Sequence, residues 1–219
     1  MMRTLIVRAI RVVGQALVGG LWRWSPSRDL LGIRTAIFAD SGVAEVSFQR
    51  INSALGLIQR HHPPTFDRIR TQVRGILGFG TEHYRLAHWD NAARLCVVTV
   101  HYLQSADTTP SHLALTLAHE SMHARLSALG AKYADGRRAH LEVICAMAEL
   151  ALARRLPDSA LHVERVQRLI SNWASAGEAE WSNETMRSDE LTDLRAFGVP
   201  RWLISLVSRV ERFLSRRAA

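Results

Sequence analysis

Apolar positions dominate residues 4–24, and the few polar ones follow a helical rhythm: Thr4, Arg8, Arg11 and Gln15 fall at i, i+4, i+7 and i+11. One narrow polar stripe on an apolar cylinder predicts an amphipathic helix, with Trp22 and Trp24 flanking Arg23 at its end. Arginines inside the run, and no clean small-residue cleavage site after it, argue against a membrane span or a signal peptide. Residues 35–77 read as mostly helical, broken at "HHPPT" (61–65), where the two histidines are expected to be solvated in a loop. The run "RLCVVTVHYL", 94–103, is dense in β-branched and aromatic residues and is the strongest strand signal in the chain. After the turn "SADTTP", Thr109 is placed to cap a helix that Pro110 opens, and Gly130 to end it. A second helix near 136–156 stops before Pro157, and a third covers about 159–175. The last, 199–217, carries an apolar stripe through Trp202, Leu206, Val210 and Phe213.

The 219 residues suffice for one domain with a real core, with or without helical extensions. The expected organisation is a basic amphipathic helix and linker over 1–34, a central domain over 35–158, and a helical extension over 159–219 packed on it. Cys96 and Cys145 both lie in apolar stretches and read as buried, reduced thiols of a cytoplasmic protein.

Mapping the net charge of +8 changes its meaning. Residues 1–34 and 195–219 carry +5 each, which leaves −2 for 35–194. A nucleic-acid enzyme keeps its positive charge along the working groove, so nucleic acid is not the expected partner. Two basic, apolar-striped ends instead have two readings: the stripes pack on the domain with their arginines solvated, or the ends hold a cytoplasmic protein peripherally on an anionic membrane surface at the inner face of the membrane.

The chemistry is concentrated in "HESMH". On a helix, i and i+4 spacing puts His119 and His123 on one face, where both imidazoles can reach one Zn2+ ion at ~2.0–2.1 Å. Glu120 then points beside the metal, where a carboxylate can take a proton from water. The following helix returns through a short loop, and heights above that loop select a third ligand. The histidine pair lies ~12 Å up and Glu142 ~9–10 Å, nearly level. Glu149 would sit ~20 Å up. It reads equally as a partner orienting His119 from behind and as half of a buried salt bridge to a guanidinium.

"HESMH", the 18 residues 124–141 and then Glu142 resemble the gluzincin metallopeptidases, and most of all small proteins of the minigluzincin type. The resemblance covers about residues 94–157. It implies a mostly helical α+β zincin-like core: a small sheet, an HExxH helix and a following glutamate-bearing helix. It also implies zinc-dependent hydrolysis of a peptide or protein, with the strand before the active helix ("CVVTVHY") exposing an edge for the substrate. A donor for the reaction's oxyanion is implied too, and Tyr133, Tyr102 and His101 are the candidates. Two other readings are a metal-holding zincin-like scaffold or sensor without turnover, and a membrane-surface helical protein in which HESMH is coincidental.

Overall fold

The computed structural model describes residues 19–80, 86–131 and 137–175. Residues 19–24 are helical and lead into a hairpin of β1 (Ser27–Leu30) and β2 (Ile33–Ile37). Its two-residue turn holds positive φ at Leu31 (55°) and Gly32 (82°), and the Asp29 carboxylate accepts the Gly32 N–H at 2.7 Å. Then follow α1 (Ser41–His61), α2 (Pro63–Gln72), β3 (Gly75–Gly78), β4 (Ala87–Asp90) and β5 (Leu95–Val98). The chain continues through α3 (Val100–Gln104), α4 (Pro110–Ala128), α5 (Arg138–Ala153) and α6 (Ser159–Ser175). The fold is α+β and mostly helical.

The sheet is mixed, in the order β1-β2-β3-β5-β4. Strands β2, β3 and β5 run parallel, and β1 and β4 pair antiparallel at the two ends. One face packs Ile37, Ile76 and Val98 against Phe48, Ile51 and Leu55 of α1, Ile69 of α2 and Leu113 and Leu117 of α4. On the other face Trp22 lies against Ala36, Leu77 and Leu95. A Cβ at Gly75 would collide with the Trp22 ring, so this glycine is what lets the indole reach the sheet backbone. The Arg34 guanidinium stacks over the same ring at 4.5 Å.

Several expectations change here. The strand expected over 94–103 ends at Val98, because the Thr99 hydroxyl accepts the Tyr102 N–H at 3.3 Å and winds 100–104 into α3. His101 and Tyr102 therefore sit on a helix, not at a strand end. Strand β5 is paired on both sides, so among the described residues the sheet edge beside α4 is β4 rather than "CVVTVHY". The stretch 35–77 holds α1 and α2 but begins in β2 and ends in β3. Strand β3 is buried at every position and has no alternation to mark it as a strand. His62 is not a solvated loop residue: its Nδ1 accepts the Thr65 N–H at 3.2 Å and caps α2. The boundary drawn at residue 34 falls inside β2.

Other expectations meet their elements directly. The Thr109 hydroxyl accepts the His112 N–H at 3.1 Å at the start of α4, and Gly130 (φ 79°) follows its end. Helix α6 occupies the expected range. The stripe over 4–15, Tyr133 and the helix over 199–217 lie outside the described residues. Among the described residues no helix is long and apolar enough to cross a membrane.

Candidate metal centre

Helix α4 is apolar around most of its circumference because it is buried between α1, α2 and the returning α5. On its α5 side the apolar pattern is interrupted by His119 and His123, with Glu120 next to His119 along the helix, and α5 faces the histidines with Glu142, Cys145 and Glu149. Residue 123 lies level with 142 and 145, and 119 with 142 and 149, so the two helices run antiparallel.

His119, His123 and Cys145 form a group that could hold a metal ion, each offering one ligand atom within 4.8 Å of the others. The sequence marks Cys145 only as a buried thiol. Its place one helical turn after Glu142, on the same face, was the signal available. Its Sγ lies 3.3 Å from His123 Nδ1. Glu142 meets the opposite side of that ring, with Oε2 3.4 Å from His123 Nε2 and 3.2 Å from His119 Nε2. Behind His119, Glu149 Oε2 lies 3.5 Å from Nδ1 while Oε1 accepts from Arg165 of α6. Glu149 thus touches both an imidazole and a guanidinium. Glu120 is 6% exposed at the same level of α4.

The surroundings close the site. The Trp173 ring of α6 packs edge-on against His119 with centroids 5.7 Å apart. Arg68 of α2 donates to Ser121 Oγ at 3.0 Å, bringing positive charge to the far side of α4. The Tyr102 hydroxyl is hydrogen-bonded to Thr116 Oγ1 at 3.0 Å in a buried position, and His101 is exposed.

These contacts set the protonation states. Burial opposes charge on His119, but the Glu142 and Glu149 carboxylates and nearby Glu120 outweigh it and raise its pKa to about 10. Burial likewise opposes charge on Glu142, yet the two histidines hold its carboxyl well below the ordinary 4.5. Burial and the negative Glu142 and Glu120 push the Cys145 thiol well above its usual range. These contacts favour the imidazolium form of His119, paired to the Glu142 carboxylate. Its stabilising contribution is whole below the ordinary 6.5 and lost as pH rises through about 10. That of Glu142 is whole above 4.5 and lost as pH falls into the acid range.

A metal ion bound through His119 would displace its proton. The logarithm of apparent zinc affinity is therefore expected to climb about one unit per pH unit between pH 7 and 9. Competition against a chelator of known proton affinity measures this; a flat profile would mean that no proton leaves His119.

No protein-family model matches the chain, and no curated protein or solved structure matches it either. The case for function rests on the site itself: a histidine pair on one helix, facing a cysteine and two carboxylates on the next, in a mostly helical α+β fold.

Proposed function

We propose that this chain is a zinc-dependent hydrolase of peptide bonds, with His119, His123 and Glu142 holding the ion and Glu120 acting as general base. One observation carries the reading: a single Glu142 oxygen stands 3.2 and 3.4 Å from the Nε2 atoms of the two histidines. Ligand atoms at ~2.0–2.1 Å from a tetrahedral zinc are ~3.3–3.4 Å apart, so these separations match two edges of the coordination polyhedron. The near contact of Cys145 Sγ, 3.3 Å, is on the Nδ1 side of His123, and one imidazole cannot turn both nitrogens to the same ion. The thiol there suits a different task, accepting the Nδ1–H and so leaving the Nε2 lone pair for the metal. Glu149 does the same for His119.

When bound, zinc supplies a Lewis acid that brings a water's acidity to near neutral pH. Glu120 takes a proton from the attacking water as its oxygen bonds to the peptide carbonyl carbon. The C–N bond then breaks, and the same carboxyl returns that proton to the departing amine nitrogen. The β4 edge beside α4 supports a substrate that adds as an extended strand.

Metal analysis and peptide turnover test this reading together. The expected result is a tight zinc equivalent at this site and hydrolysis of unstructured peptides that a chelator abolishes and zinc restores. Zinc without turnover would leave the scaffold reading in its place.

A further inference from the structure

A second cluster of metal-ligating side chains lies outside this centre. Where the start of α4 meets the start of α6, a cleft of about 560 Å³ opens, lined by His112, Asp158 and His162 among others. His112 is seven residues before His119, on the same face of α4 and ~10 Å along its axis. His162 is 6% exposed and presents what remains to the cleft. Among the described residues no hydrogen bond engages its ring; its only close ring neighbour there is His112. The two ring centroids are 5.3 Å apart at 82°.

The orientation of His112 follows from its partner. Its Nδ1 lies 3.1 Å from the Asp107 carbonyl oxygen, which can only accept, so Nδ1 is the donor there and Nε2 is the nitrogen left to face a metal. This is how metal-binding histidines are generally oriented. Two imidazoles on one ion at ~2.0–2.1 Å, at a tetrahedral angle, have centroids ~5 Å apart, which the observed separation fits.

We propose that His112 and His162 form a two-histidine site for a divalent transition metal such as zinc, with water completing the coordination. It is independent of the His119/His123 centre. An ion there joins α4 to α6, the helix that carries Arg165 to Glu149 and Trp173 to His119. Its role is that of a clamp on the cover of the first centre.

The full chain, stripped of metal, is titrated with zinc by calorimetry, with Cu2+ as a spin probe. Wild type is expected to take a second equivalent, and His112→Ala to lose that equivalent while keeping the tight one. His112 is only partly buried, so this variant avoids the risk of unfolding that His162→Ala carries. In a His119→Ala/His123→Ala background the remaining equivalent should show coupling of Cu2+ to two imidazole nitrogens, and zinc should still raise the melting temperature. Both effects should vanish on adding His112→Ala. Saturation of wild type at one equivalent, or an unchanged second equivalent in His112→Ala, overturns the proposal and leaves the histidine pair as edge-to-face packing. If the first centre is misassigned instead, the tight equivalent survives the double substitution while the His112-dependent one behaves as described.

Discussion

Glu120→Gln is expected to keep the tight zinc equivalent and lose about 10²–10⁴-fold in kcat, the usual contribution of a positioned general base. The substitution preserves side-chain shape at a site that is 6% exposed, so packing is conserved, but an amide cannot accept a proton from water. Glu120 follows His119 directly and so projects beside the two ligand histidines rather than between them, which is why zinc retention is expected. Parallel measurement of zinc content and peptide turnover checks both halves. A variant with full zinc and full activity would transfer the base role to another residue, and one with neither would make Glu120 a structural support of the site.

The other large effect is expected at Glu142. Glu142→Ala should weaken zinc well beyond the about 10–100-fold that losing a supporting residue such as Glu149 costs. Glu142 faces both Nε2 atoms, whereas Glu149 faces only the Nδ1 of His119 and is shared with Arg165. Cys145→Ala should retain the metal, and cobalt in the wild type should show no thiolate charge-transfer absorption. A sulfur-to-cobalt band that disappears in Cys145→Ala would assign the ligand set to His119, His123 and Cys145, the group with its ligand atoms within 4.8 Å. Equal losses in Glu142→Ala and Glu149→Ala would remove the distinction between ligand and support.

Much of this centre was legible in the linear chain because it depends on helical spacing. His119 and His123 share a face by periodicity alone, and the level of Glu142 follows from the rise per residue once a short loop joins two helices. The caps of α4 were equally local, as Thr109, Pro110 and Gly130 act within one turn of where they stand. Elements whose signal is not local were lost. Strand β3 is four residues long and buried throughout, so its pattern matched the helical stretch before it. The β-branched run after Val98 reads as strand by propensity, yet one hydroxyl, that of Thr99, turned it into α3.

By itself, then, the sequence determined the α4–α5 hairpin and which of its faces carries histidines and acids, since spacing along a helix is geometry in one dimension. Only the tertiary structure decided what meets those faces. It brought Cys145 to the Nδ1 side of His123, Arg165 to Glu149 and Trp173 to His119, and it set His162 against His112. It also put β4, not β5, at the sheet edge beside α4 among the described residues. These pairings join residues from separate helices or strands, and they depend on how those elements pack and rotate against one another. Periodicity along one element carries no information about that rotation.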